Sequence, residues 1–196
     1  IDYNRKHGRE RGLARALAVS VKTSADAGEL QNARDHYSEA RALLEKNEMW
    51  DWLARIDVNY ARLLLLQGET SKAAALLEQA IAMARDQGDV SAATYATVVL
   101  ADSVIDSRTD ALARLKEAAA GLKNTDLTSL ALWVQLQAIR AAISARDMAY
   151  ARSELARIEQ SMGSTDVVAS HREIYLEQKA RLSAHDGNIE GALADV

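Results

Sequence analysis

Basic side chains recur along this chain at nearly constant separation. The recurring position falls at residues 22, 62, 100, 140 and 181, so successive members are 40, 38, 40 and 41 residues apart. Leucine stands at position 100, and the other four residues form what we call the basic stripe: Lys22, Arg62, Arg140 and Arg181. Three of these cations are preceded by an amide one helical turn earlier, and the amides are Asn59, Gln137 and Gln178. Arg55 extends the same row. Because arginine binds a carboxylate through two parallel hydrogen bonds, the stripe predicts a site for an acidic or carboxylate-bearing segment.

A second interpretation of the basic stripe stays open. The chain carries 28 acidic and 24 basic residues, which gives a formal net charge of −4. Acids such as Asp26 and Glu177 lie at helical spacing from stripe cations and could pair with them on a solvated surface, as charged helix faces commonly do. The acidic balance also removes the electrostatic case for direct nucleic-acid binding, which needs a basic excess.

Residue patterns for catalysis or metal binding are missing from the sequence. It contains no glycine-rich phosphate loop, no G-x-S-x-G and no H-E-x-x-H. Without cysteine, disulfides and thiolate ligands are excluded, and the four histidines are not paired at helical spacing. We therefore expect a chain that is not an enzyme and that uses no cofactor and no metal.

Trp133 is a further candidate for the binding site. It lies one turn before Leu136 and two turns before Arg140, on the helix that carries the basic stripe. An exposed indole there would offer a platform on which a ligand could stack, whereas packing between helices is the commoner place for a large aromatic side chain. Both interpretations stay open from the sequence.

Helical hairpins must position these residues. The stretch from Tyr60 to Asp89 reads as helix, turn at Gly68-Glu69, and helix, with apolar residues at helical spacing on both sides of the turn. The second helix of each hairpin opens with a small residue, followed by apolar or small residues four and seven positions later. The sets are Ala33, Tyr37 and Ala40; Ala73, Leu77 and Ala80; Ala111, Leu115 and Ala118; Ala151, Leu155 and Ile158. One hairpin cannot bury its apolar face alone, so stacked copies are predicted. Asn47 is the predicted left-handed stop between the first two hairpins.

The repeated unit resembles the tetratricopeptide repeat (TPR). Tyr60, Ala61 and Leu64 stand in the leucine–glycine–tyrosine places of its first helix, and Ala73, Leu77 and Ala80 stand in the alanine–aromatic–alanine places of its second. The resemblance implies an all-α, right-handed superhelical solenoid of about five hairpins, with the first helices lining the concave surface. The departures are a period near 40 residues and the absence of proline. In its period the chain resembles TPR segments of bacterial regulators, such as MalT-like activators and the sensor regions of diguanylate cyclases.

The composition and the ends of the chain set the remaining expectations. We expect one solenoid segment over residues 1–196, with repeats at 9–47, 48–88, 89–124, 125–163 and a truncated 164–196. The longest apolar run near the centre, residues 63–66, is far too short to span a bilayer. A chain that begins at Ile1 and ends inside a predicted helix is expected to be part of a longer protein. The lack of cysteine favours a cytoplasmic location.

Two functions follow from these patterns. The first is a non-catalytic scaffold that binds a protein or peptide, preferably acidic, in a basic concave groove. The alternative is a sensory or regulatory segment of a multidomain bacterial signalling protein or transcription regulator, which senses an effector and controls an output domain outside this chain. Self-association through uncapped repeat ends is also expected, because such ends expose apolar surface.

Overall fold

The computed structural model describes residues 1–162 and 169–186, and these residues form helices and no strands. Its helices are α1 (Asp2–Lys6), α2 (Glu10–Asp26), α3 (Leu30–Lys46), α4 (Trp50–Leu66), α5 (Thr70–Asp86), α6 (Val90–Ser103), α7 (Arg108–Gly121), α8 (Thr128–Ala145), α9 (Met148–Met162) and α10 (Ala169–His185). The predicted fold class, an all-α chain of packed TPR-like hairpins, is confirmed. The predicted second helix of the fifth hairpin lies outside the described residues.

Glycine in the left-handed region makes the turns between helices short. At Gly68 the backbone has φ +74°, the amide of Gly68 donates to the carbonyl of Leu65, and that of Glu69 donates to the carbonyl of Leu64. These two bonds close the end of α4 in the pattern known as a Schellman motif. The helix before Asn47 ends at Lys46, so the predicted stop is in place, but the predicted left-handed conformation of Asn47 is wrong. Asn47 has φ −99°, and the next residue, Glu48, takes the left-handed conformation at φ 55°.

The chain forms two compact units, residues 1–104 and 105–196. In the first unit α2 packs on α3, α4 packs on α5, and α4 also contacts α2, α3 and α6. Fully buried Leu17, Leu44, Leu53 and Ile56 fill the space between the first hairpin and α4. Small residues stand where helices approach closely: Ala33, Ala40, Ala61 and Ala73 have no exposed surface.

In the second unit α8 contacts α7, α9 and α10, so it is the central helix of this part. Leu136, Ala138 and Ile139 of α8 are fully buried, as is Ala151 of α9. In α7 the last buried small residue of the predicted set lies one position later than expected, because Ala119 is buried and Ala118 is half-buried. The boundary between the units falls within the predicted third repeat, and the assignment of one solenoid to residues 1–196 stays a prediction.

Candidate functional site

A pocket of about 360 Å³ lies in the first unit, between the C-terminal halves of α2 and α4. Three residues singled out from the sequence line it, Lys22 on α2 together with Asn59 and Arg62 on α4. Asn59, Arg62 and Leu66 are spaced three and four residues apart, so they share one face of α4, and Lys22 and Asp26 share one face of α2 in the same way. The contact between α2 and α4 therefore brings together residues that are 37 to 40 positions apart in the sequence.

The electrostatics of this pocket are set by two cations and one acid. Lys22 Nζ lies 2.6 Å from Asp26 Oδ2, and both side chains are more than half exposed. The hydrogen bond from Lys22 holds the pKa of Asp26 below its ordinary value, with a further contribution from the charge of Arg62. Arg62 Nη1 donates a hydrogen bond to the phenol oxygen of Tyr95 on α6 at 3.3 Å. The three charges sum to one net positive charge at neutral pH.

The floor and rim of the pocket are apolar. Leu63 is fully buried, Leu65 is half-buried, and Leu66 at the end of α4 is 76% exposed. An aliphatic side chain this exposed beside two cations is a surface that can take an apolar group next to an acidic one. Leu66 was not predicted as a surface residue, because it ends an apolar run and has no periodic partner that would mark it as exposed.

Arg55 does not line the pocket. Its Nη2 lies 3.1 Å from Asp89 Oδ2, while Asp89 Oδ1 accepts a hydrogen bond from the amide of Ala92 in the first turn of α6. Asp89 thus caps α6 and receives Arg55 at the same time. Arg55 links α4 to the start of α6, and this gives it a structural role.

The remaining candidate residues belong to the second unit. Trp133, Gln137 and Arg140 lie on α8 and are half-buried, and Trp133 and Arg140 both have interaction partners. On α10, Arg181 Nη2 lies 2.6 Å from Glu177 Oε1 on an exposed surface. The acid pairs named in the second interpretation of the basic stripe, Lys22–Asp26 and Arg181–Glu177, are therefore both present.

Gln178 is buried, whereas the sequence analysis expected it on the binding surface. Only 1% of it is exposed, and its Oε1 accepts no hydrogen bond from the described residues. The register of α10 places it towards the helices packed around it, because Tyr175 and Leu182, three residues before and four after, are buried as well. A partner on the surface would not reach the Gln178 amide in this arrangement.

A buried charged network, which the sequence analysis missed, joins α3 to α4. Asp57 of α4 is fully buried, and its Oδ1 accepts hydrogen bonds from Arg41 Nη1 at 2.6 Å and Tyr37 Oη at 2.9 Å, both on α3. The Tyr37 ring stacks on Tyr60 with 3.9 Å between ring centroids. Asp57 Oδ2 has no hydrogen-bond partner among the described residues. The signal was available, since Asp57 interrupts the apolar series Leu53, Ala61 and Leu64 on one face of α4.

Burial dominates the titration of this network. Desolvation raises the pKa of Asp57, while the charge of Arg41 and the two hydrogen bonds act in the opposite direction. Burial together with the charge of Asp57 also raises the pKa of Tyr37, so its hydroxyl stays protonated and donates. Burial lowers the pKa of Arg41, but the charge of Asp57 and the hydrogen bonds to Asp57 and Tyr37 together outweigh it and raise the pKa overall. The network is a structural ion pair within the core of the first unit.

The described residues show no arrangement for metal-assisted chemistry. Between residues 1–160 and 171–186, no group of three histidine, aspartate or glutamate side chains lies close enough to hold a metal ion. No helix in the described ranges is both long and apolar enough to cross a membrane. The pocket between α2 and α4 is thus the place where candidate binding residues converge in the first unit.

Comparison with known proteins gives one finding on family. No curated protein matches the chain. Residues 22–86 match the family model described as tetratricopeptide repeat, which covers about a third of the chain and runs from Lys22 in α2 to the end of α5. The match includes the pocket-lining residues of α2 and α4 and the Tyr37–Arg41–Asp57 network, while Ser103 of the lining lies outside it. It supports a tetratricopeptide-repeat family for this part of the chain, and such repeats generally mediate protein–protein interaction.

Proposed function

We propose that this chain is a non-catalytic scaffold that binds an acidic peptide segment of another protein in the pocket between α2 and α4. The observation that carries the proposal is the convergence of Lys22, Asn59 and Arg62 on one concave site of about 360 Å³. These residues are distant in the sequence, and only the packing of α2 on α4 brings them together.

The chemistry of the pocket defines the segment. Arg62 can bind a carboxylate through two of its N–H groups, Lys22 adds a positive charge, and the Asn59 amide can donate a further hydrogen bond. Leu65 and Leu66 beside them can cover an aliphatic side chain of the same segment. The volume is at the small end of ligand sites, so the pocket takes one or two side chains of an extended peptide.

Exposure sets how strongly each group contributes. Lys22 is more than half exposed, so its attraction to a carboxylate is screened by salt. On its own, Lys22 therefore strengthens binding by less than about tenfold. Selectivity for acidic segments therefore comes from the cations acting together, and the covered apolar group supplies a salt-independent share of the binding free energy.

Peptide selection tests the proposal. A phage library of short random peptides is panned against the chain, and enriched peptides are measured by fluorescence anisotropy at low and high salt. We expect Asp or Glu next to an aliphatic residue to be enriched. The double variant Lys22→Glu, Arg62→Glu should bind these peptides at least about tenfold more weakly, because two attractions become repulsions.

A charge-matched control separates the pocket from net charge. The double variant Lys46→Glu, Lys72→Glu changes the net charge of the first unit by the same amount at exposed sites outside the pocket. It should bind the enriched peptides within about twofold of the unmodified chain. Equal losses in the two double variants, or enrichment without any acidic preference, would refute the proposed site.

A further inference from the structure

Asp26 stands inside the pocket that the proposed function uses. It is the acid among the lining residues, and its Oδ2 lies 2.6 Å from Lys22 Nζ. The hydrogen bond from Lys22 lowers the pKa of Asp26, and the charges of Lys22 and Arg62 act in the same direction. Asp26 therefore occupies the electrostatic position that an incoming acidic group would take.

The contact between Lys22 and Asp26 is easily exchanged. Their side chains are 56% and 53% exposed, and they are four residues apart on one helix, a geometry in which ion pairs are weak. An incoming carboxylate can take over the hydrogen bond from Lys22 with little loss. The negative charge of Asp26 nevertheless remains at the site after the exchange, because the residue cannot leave α2.

We propose that Asp26 is a specificity-determining residue that reduces the electrostatic advantage of doubly charged phosphoryl groups over singly charged carboxylates in the pocket; this inference rests on the proposed function. With Lys22, Arg62 and Asp26 present, the site carries one net positive charge rather than the two of the cations alone. Because Coulomb energy scales with the charge of the ligand, repulsion by Asp26 costs a phosphate dianion about twice what it costs a carboxylate. The apolar Leu65 and Leu66 in the lining favour a ligand that carries an aliphatic group over phosphate.

Two small probes test this without knowledge of the natural partner. The chain, labelled with ¹⁵N, is titrated with 3-methylbutanoate, a monocarboxylate with a branched aliphatic tail. A second titration uses inorganic phosphate at pH 8, where most of it carries two charges. Ionic strength is held constant, and shifts of the amide signals of Ala25 and Leu65 report binding in the pocket. The unmodified chain should bind 3-methylbutanoate more tightly than phosphate.

Asp26→Asn should narrow this preference. Coulomb energy scales with the charge of the ligand, so if loss of the Asp26 charge strengthens monoanion binding about threefold, it should strengthen dianion binding about tenfold. The control Glu154→Gln removes an acid that pairs with Arg157 in the second unit, away from the pocket, and it should change neither affinity.

The outcomes separate the inference from the proposed function. A larger gain for phosphate than for 3-methylbutanoate on Asp26→Asn supports the inference. Equal gains, or no gain while the unmodified chain binds 3-methylbutanoate, overturn the role of Asp26 and leave the proposed function standing. If neither probe shifts Ala25 or Leu65 in the unmodified chain or in Asp26→Asn, the pocket does not bind anions, and both the inference and the proposed function fail.

Discussion

Replacement of Arg41 by methionine probes the buried network most directly. Methionine retains the apolar length of arginine but removes the charge that faces Asp57, whose side chain is fully buried. In the variant, Tyr37 alone donates to Asp57, and the carboxylate either stays charged without a counter-ion or takes up a proton. We expect the free energy of unfolding to fall by about 3–4 kcal/mol at pH 7, within the usual cost of breaking a buried pair.

The option of protonation sets a ceiling on this cost. An unfolded aspartate has a pKa near 3.9, so keeping it protonated at pH 7 costs about 4.2 kcal/mol, and at pH 5 it costs about 1.5 kcal/mol. Burial raises the pKa of Asp57 in the folded chain, and loss of Arg41 removes an effect that lowers it. The folded variant therefore binds the proton more tightly than the unfolded chain, and its stability falls as pH rises above the unfolded pKa. The deficit relative to the unmodified chain should shrink by about 2–3 kcal/mol between pH 7 and pH 5.

Urea unfolding monitored by tryptophan fluorescence measures this deficit. Trp50 and Trp52 lie in the first unit and Trp133 in the second, so all variants carry Trp133→Phe and the signal reports the first unit. The control Arg5→Met breaks the Arg5–Glu39 pair, which has the same 2.6 Å separation but partners that are 52% and 37% exposed. That control should lose less than about 1 kcal/mol.

The double variant Arg41→Met, Asp57→Asn completes the test. It removes both charges and leaves a neutral amide of similar shape, so it should be more stable at pH 7 than Arg41→Met alone, with little dependence on pH. A deficit of Arg41→Met that is equal at pH 5 and pH 7, or no larger than that of Arg5→Met, would refute the account of a buried charge held by its partner.

Three further predictions concern single positions. Asp89→Ala should destabilise the first unit by about 1–2 kcal/mol in urea unfolding, because α6 loses its cap and Arg55 its partner. Burial raises the pKa of Asp89, but hydrogen bonds from Ala92 and Arg55 outweigh burial and lower the pKa overall. The stabilisation by Asp89 is therefore present above about pH 4 and is lost as the pH falls further. A stability deficit of Asp89→Ala that persists in acid would contradict this prediction. Gly68→Ala should cost about 1 kcal/mol in the same assay through backbone strain alone, since φ is +74° and no atom lies within 4 Å of the added carbon. Arg146→Gly, at φ 62°, should raise the thermal midpoint of the second unit by relieving that strain, and a lowered midpoint would contradict it.

Helical periodicity predicted the hairpins well, because the helices of the hairpins bury apolar residues at helical spacing and the glycine turns are local. The small residues that open the second helices, Ala33, Ala73 and Ala151, are required only by close helix contact, and all three are fully buried. The left-handed position at Glu48 could not be read from residue type, because the preference of asparagine for that region favoured Asn47. There the side chain of Asn47 donates to the carbonyl of Leu43 instead, and the next residue takes the left-handed conformation.

The candidate site was harder to predict, since the fate of a surface cation depends on neighbours that belong to other helices. Equal spacing selected Lys22 and Arg62, which share a pocket, by the same criterion as Arg181, which pairs with Glu177 on its own helix. The criterion also selected Gln178, which α10 turns inward. Whether a recurring position is exposed depends on the rotation of each helix about its axis, and the small drift from one repeat to the next is not visible in the spacing.

Asp57 and the pocket are connected through α4. Most of the pocket lining comes from α2, which packs on α3, and from α4, and Ser103 of α6 completes it. Arg41 and Tyr37 of α3 hold Asp57 of α4 by hydrogen bonds that are satisfied at one rotational setting of α4. Asn59 and Arg62 lie two and five residues further along the same helix, so this setting also fixes the direction in which they face Lys22. An apolar contact in place of Asp57 would tolerate sliding and rotation, whereas a buried charge does not, because any departure leaves the carboxylate without its donors. The network therefore orients the binding residues from the opposite side of the helix, even though it makes no contact with the pocket.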